Sequence, residues 1–144
     1  MKLTSFTDFS LRVLIYLAAD PARRATIAEV ASAFDISENH LSKVVHFLGK
    51  EGWLVNVRGT GGGMNLAQPP KAIVIGRVVR ATEGAPQPAE CFGPHPDRCR
   101  IHRACRLKGV LKQAADAFYA VLDRYTLADL VHDRQGLARI LLVA

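Results

Sequence analysis

Aromatic residues are scarce, 7% of the 144 residues, so any core built from this chain is mostly aliphatic. Long hydrophobic runs are absent. The longest apolar stretch, Val13 to Ala19, is far too short to span a bilayer. The opening Met1-Lys2-Leu3-Thr4 leads into no signal-peptide core, because Asp8 and Arg12 interrupt it. A cytoplasmic protein with no membrane partner is the expectation. Acidic residues are few beside basic ones: 13 Asp and Glu against 19 Lys and Arg, a net charge of +6 and a pI near 9.6. That balance favours a polyanionic partner. Cysteine is limited to three, all between residues 91 and 105. An odd number excludes a fully paired disulfide framework, and such a cluster reads as metal binding or redox chemistry. What is present is ample apolar material, 49%, with 22% charged residues. That composition excludes a disordered chain and suits one domain, or one small domain with an appendage.

Periodicity then divides the chain. Phe6, Phe9, Val13, Leu14 and Leu17 make one face of a helix over 5–19, closed by Pro21. Ser5 with Asp8 suggests a capping box at its start. Thr26 caps a second helix, with Ile27, Val30 and Ala31 inward. After the turn Phe34-Asp35-Ile36, Ser37 caps a third, running to about Lys50 with Leu41, Val44, Val45 and Leu48 buried. Gly52 stands where a helix stop is wanted. The period then changes to that of a hairpin. Trp53 to Arg58 and Met64 to Ala67 are its strands, with four glycines between Gly59 and Gly63 at its tip. Ile73, Ile75, Val78 and Val79 predict a short helix ending near Gly84. Residues 85–97, with Pro86, Pro88, Pro94 and Pro96, form a loop. Leu107, Val110, Leu111, Ala114, Phe118, Val121, Leu122 and Tyr125 predict a long helix over about 104–125, roughly 30 Å. Thr126 with Asp129 caps one last helix.

Two short helices joined by a three-residue turn and followed by a glycine-rich hairpin make a winged helix-turn-helix, over about 26–50 with the wing at about 53–67. The helix after Ser37 is the one that enters a major groove. Its outward face carries Glu38, Asn39, His40, Ser42, Lys43 and His46. Asn39 suits an adenine edge, and Lys43 and His46 suit guanine or phosphate. Arg58 stands at the base of the wing, in reach of a minor groove, and the bare backbone at Gly61 and Gly62 permits close approach to the sugar-phosphate chain. Double-stranded DNA is the expected partner.

Seven residues separate Cys91 from Cys99, and five separate Cys99 from Cys105. Arg98, Arg100, Arg103, Arg106 and Lys108 crowd this loop, opposed there by Asp97. Positive surroundings favour thiolate, the metal-binding form, and offset the negative charge of thiolate-bound iron–sulfur cores. The spacing lacks a CxxC zinc knuckle. His95 and His102 are candidate fourth ligands by proximity. No substrate-site constellation accompanies the loop, so an enzyme is not expected. On the residues alone, a small redox protein or electron carrier stays open. So does a DNA-binding protein with structural zinc or redox-active thiols.

Three motifs together have a relative. Leu3-Thr4-Ser5-Phe6-Thr7-Asp8-Phe9, the wing Arg58-Gly59-Thr60-Gly61-Gly62-Gly63 and the three-cysteine loop resemble the winged-helix iron–sulfur regulators, and among them the nitric-oxide-sensing repressors. Ala104-Cys105-Arg106-Leu107-Lys108 and Tyr125-Thr126-Leu127-Ala128-Asp129-Leu130 are similar to later motifs of that group. The resemblance implies a mostly α fold: a winged helix-turn-helix domain at 1–84, a cluster-binding loop at 85–106, and a dimerisation helix plus C-terminal helix at 107–144. It implies a homodimer on a palindromic operator. It implies an iron–sulfur cluster, [4Fe-4S] or [2Fe-2S], held by Cys91, Cys99 and Cys105, with Asp8 of the partner subunit as fourth ligand. Function follows as repression of nitric-oxide stress genes, relieved by nitric oxide. The alternative within the family is a regulator of iron–sulfur status. Such relatives have a histidine three residues beyond the third cysteine, where this chain has Lys108.

Overall fold

A computed structural model describes residues 2–142. Seven helices and one hairpin occupy them. Helix α1 is Ser5–Ala19, α2 Ile27–Phe34 and α3 Glu38–Lys50. Strands β1, Leu54–Val57, and β2, Gly63–Leu66, follow. Then come α4, Ile75–Glu83, and α5, Arg106–Leu122, with the short α6, Leu127–Leu130, and α7, Arg134–Leu141, at the end.

Local chemistry sets most of these boundaries. Thr26 and Glu29 form a reciprocal capping box at the start of α2, and the Ser37 hydroxyl accepts from the His40 amide at the start of α3. Asp35, at φ 52°, makes the left-handed bend between these helices, a conformation aspartate tolerates. Gly52, at φ 78°, ends α3. The start of α1 differs from the sequence reading. Thr4, not Ser5, is the cap: it is extended, and its side chain accepts from the Thr7 amide. Asp8 lies a full turn inside and takes no part in capping.

Helix α1 is the hub. It packs against α2, α3, α4, α6, α7 and β2. Val13, Leu14, Leu17, Val30, Leu41, Val44, Leu48, Met64, Val78 and Val79 form the aliphatic centre, with Trp53 beside them. The hairpin pairs Leu54 with Leu66 through Val57 with Gly63, antiparallel. A third extended segment joins it: Ala25 and Met64 exchange both backbone hydrogen bonds, at 3.1 and 2.7 Å. The C-terminal part enters the same core through Tyr119, Leu127 and Val131. Leu127 donates its amide to the Ile73 carbonyl at 2.8 Å, and Ile75 to that of Tyr125 at 2.9 Å.

Three further expectations change. The long helix has 17 residues, 106 to 122, about 25 Å. It stops there because Asp123, its C-cap, is gripped by the Arg80 guanidinium through two bonds of 2.5 and 2.6 Å. The single helix after Thr126 is two, because Asp133 caps a second start by accepting from the Gly136 amide at 2.9 Å. The apolar residues of α5 also do not share one buried face. Ala115 and Tyr119 are buried, with Phe118 and Leu122 packed against the core. Leu107, Val110 and Val121 are 60%, 59% and 44% exposed.

Candidate nucleic-acid interface and cysteine loop

One face of α3 stands clear of the core. Asn39, Lys43 and His46 are exposed, and none of them hydrogen-bonds another described residue through its side chain. Their donors and acceptors are open to a ligand. Two other members of the set are partly committed. The Ser42 hydroxyl donates to the Glu38 carbonyl at 2.8 Å, leaving it an acceptor. His40 lies against Phe9 of α1, ring centroids 6.3 Å apart. Farther along, Phe47 meets Phe6 edge-on at 5.3 Å. Helix α3 is therefore held on the first turns of α1 by two aromatic contacts.

The wing rises beside it. Arg58 is exposed. At the tip, Gly59 and Gly61 have φ of 95° and 72°, and the Gly62 amide donates to the Gly59 carbonyl at 2.9 Å. Gly63, at φ 147°, has the Ala25 carbonyl 2.9 Å from where a Cβ would sit. The atom it would meet is backbone and has no flexible end to yield. Gly63→Ala is accordingly expected to destabilise by about 1–3 kcal/mol, by opening the Ala25–Met64 bridge. A urea midpoint indistinguishable from wild type would show that the bridge tolerates the methyl group. Arg24 also reaches the tip, donating to the Gly61 carbonyl at 3.2 Å. No signal near the wing motif points to it. Asn56 borders both the groove shared with Glu38 and Thr26 and the one shared with His46 and Lys50, a placement that strand periodicity does not reveal.

The cysteine loop runs from α4 to α5, folded into two short 3-10 turns at Glu90–Phe92 and Pro96–Arg98. All three thiols are free. Cys91 and Cys99 line one cavity with Glu90 and His95. Cys105 sits apart at the N-terminal end of α5. Among the described residues, no three metal-binding side chains converge on one point. Such a gathering rarely precedes the metal that pays for it. The donor chemistry itself suits an iron–sulfur group: three unpaired thiols on one pliable loop. Lys108 stands three residues beyond Cys105, and its Nζ lies 5.8 Å from the centre of the Phe92 ring. It fastens the start of α5 to the turn that carries Cys91. Neither His95 nor His102 forms a ligand group with the three thiols.

Asp8 sits apart from the cysteines in the chain. Its side chain, 46% exposed, pairs with Arg12 at 2.9 Å. Its neighbour matters more. Thr7 is fully buried and donates to Glu83 at the end of α4. Glu83 also accepts from the Thr4 amide at 2.7 Å and the Thr4 hydroxyl at 2.9 Å. Burial alone would push the Glu83 carboxyl up, but the bonds from Thr7 and Thr4 hold it below the ordinary glutamate range. Glu83 immediately precedes the cysteine loop, and sequence reasoning missed it. One turn of α1 thus touches both the entry to that loop and, through Phe6 and Phe9, helix α3.

Known proteins resemble this chain along nearly its whole length. Residues 3–133 match the Rrf2 family, described as an iron-dependent transcriptional regulator. The HTH-type transcriptional regulator NsrR of Geobacillus kaustophilus is 48% identical over 98% of this chain and 97% of that protein. NsrR of Bacillus subtilis is 46% identical over the same shares. Among solved structures, IscR of T. potens superposes with a TM-score of 0.74 at 25% identity, covering 92% of this chain and 88% of that one. The cysteine regulator CymR of B. subtilis superposes at 0.69 with 27% identity, covering 90% and 95%. No described helix is long and apolar enough to cross a membrane. A winged helix-turn-helix with a three-cysteine loop, matched along nearly its whole length by named regulators, places this chain in the Rrf2 family of transcriptional regulators rather than among enzymes.

Proposed function

We propose that the chain is a DNA-binding repressor, active as a homodimer on a palindromic operator, whose binding is set by an iron–sulfur cluster and released by nitric oxide. The genes it silences are those of the nitric-oxide stress response. Residues 1–84 form the reading head, 85–106 the cluster loop and 107–144 the dimerisation region, of which 1, 143 and 144 lie outside the described residues. The observation that carries this reading is the first turn of α1. It is bonded through Thr4 and Thr7 to Glu83 at the mouth of the cysteine loop, and packed through Phe6 and Phe9 on α3. A change in the loop has a short mechanical route to the DNA-reading helix.

Each part has a physical task. Cys91, Cys99 and Cys105 hold the cluster, with Asp8 of the partner subunit as fourth ligand. When bound, the cluster supplies iron that reacts with nitric oxide. A carboxylate holds iron less tightly than a thiolate, so Asp8 is the ligand whose loss the group survives best. Asn39 reads a base edge. His40, Ser42, Lys43 and His46 complete the major-groove face, and Arg58 with Gly61 and Gly62 meets the backbone at the minor groove. Dimerisation is supported by α5. Leu107, Val110, Ala114, Ala117 and Val121 are all exposed and follow the three- and four-residue steps of a coiled-coil seam.

The test is anaerobic purification with a visible spectrum, iron and sulfide assays, and operator binding before and after nitric oxide. The expected protein is coloured, contains iron and sulfide, and loses its operator when nitric oxide is added. A colourless zinc protein indifferent to nitric oxide would overturn the reading. Asp8 gives a finer test. Thr4 is the helix cap, so Asp8→Asn removes only a surface ion pair worth about 0.3–0.5 kcal/mol. We expect near-wild-type stability, most of the cluster retained, and either weaker operator binding or an altered nitric-oxide response. Asp8→Cys, a better ligand, should keep the cluster more firmly. Should Asp8→Asn match wild type in spectrum, operator affinity and nitric-oxide response, Asp8 is a surface charge and nothing more.

A further inference from the structure

Two arginines follow one another in the turn between α1 and α2, and the fold treats them differently. Arg23 is committed to Glu29, the acid of the α2 capping box. Arg24 has no acidic partner among the described residues. Its guanidinium donates instead to the Gly61 carbonyl at the wing tip, 3.2 Å away and 37 positions along the chain. An arginine carries five N–H donors in a planar fork, so this single bond leaves four. The next residue, Ala25, is pinned to Met64 by two backbone bonds, which keeps the base of the Arg24 side chain beside the wing. The tip itself has almost no side chains to cover it: Gly59, Gly61, Gly62 and Gly63 surround Thr60.

We propose that Arg24 is a second DNA-contacting arginine of the wing, steadying the glycine tip with one donor and presenting the others to a backbone phosphate. This rests on the DNA-binding reading above and deepens it. A guanidinium fork matches two phosphate oxygens, and such charge-assisted pairs are strong and geometrically defined. Arg24 and Arg58 then bring two guanidinium groups to the wing from two different parts of the sequence. The contact adds affinity without base preference, because phosphates are the same at every step.

The experiment follows the full-length, anaerobically purified protein binding a mixed-sequence duplex by fluorescence anisotropy over a series of salt concentrations. Arg24→Ala is expected to lower the slope of log affinity against log salt by about 1 per subunit, and Arg58→Ala to lower it by as much. Arg24→Gln keeps a donor for Gly61 but carries no charge, and should give the same reduced slope. Arg23→Ala, the internal control, should leave the slope unchanged. Arg24→Ala and Arg24→Gln should keep the wild-type urea midpoint, since Arg24 is exposed. If Arg24→Gln kept the wild-type slope while Arg24→Ala lost it, Arg24 would be a brace of the wing only, and the phosphate contact would be wrong. Wild-type slopes in both variants would likewise overturn it. A wild-type protein that failed to bind the duplex at any salt concentration would instead sink the DNA-binding reading, and this proposal with it.

Discussion

Cys91→Ala, Cys99→Ala and Cys105→Ala are each expected to yield a colourless protein that no longer holds its operator tightly. In the proposed ligand set, removing one thiolate would leave two thiolates and a carboxylate, too few ligands to keep a cluster against solvent. Operator affinity then falls towards the non-specific level, on the order of 10³-fold or more below that of the loaded protein. Folding should survive. Cys99 is exposed, and Cys91 and Cys105 are only half-buried. None of the three belongs to the aliphatic core. Circular dichroism and a urea midpoint measured without iron therefore serve as controls and should match wild type. The measurement is an iron and sulfide assay beside a gel shift on the operator. A coloured, operator-binding Cys99→Ala protein would show that the ligand set is wrong.

Binding to DNA is expected to collapse with salt. A dimer that neutralises 6 to 10 phosphates loses about 10³ to 10⁵ in affinity between 50 and 200 mM salt, because each contact releases condensed counterions. Within that loss the residues separate by role. Arg58→Ala should weaken binding evenly across sequences. Asn39→Ala should cost about 1–3 kcal/mol on the preferred base and relax discrimination at one position per half-site. The structure sharpens the contrast: Asn39 is exposed with no hydrogen-bond partner among the described residues, whereas Ser42 already donates to Glu38 and His40 leans on Phe9. Gel shifts on an operator and its single-base variants decide the matter. An equal loss on every sequence for Asn39→Ala would remove it from base reading.

Much of the fold was legible in short stretches. The capping residues Thr26 and Ser37, the stop at Gly52, the glycine-rich turn and the proline-laden loop all act within about four residues of themselves, and helix caps and turns are read at that range. The buried face of α3 was legible for the same reason. Leu41, Val44, Val45 and Leu48 recur at helical spacing, and all four are buried. The start of α1 was misread because Thr4 and Ser5 are both able caps. What chose Thr4 is a distant acid: Glu83 accepts from its amide and its hydroxyl.

By itself, then, the sequence determined where helices begin, where the hairpin turns, which loop carries the thiols and which residues of α3 face outward. Each of these depends on neighbours a few residues apart. Tertiary structure alone decided the rest. Packing against α4 divided the apolar residues of α5 into a buried side around Ala115 and Tyr119 and an exposed seam from Leu107 to Val121. It brought Ala25 to Met64 as a third edge of the wing, and Arg24 to Gly61 across 37 positions. It joined Thr7 to Glu83 across 76, so that the first turn of α1 touches both α4 at the mouth of the cysteine loop and α3. Such pairings leave no period or spacing in the chain. They arise only when burying a shared aliphatic core brings distant backbone and polar groups within hydrogen-bonding distance.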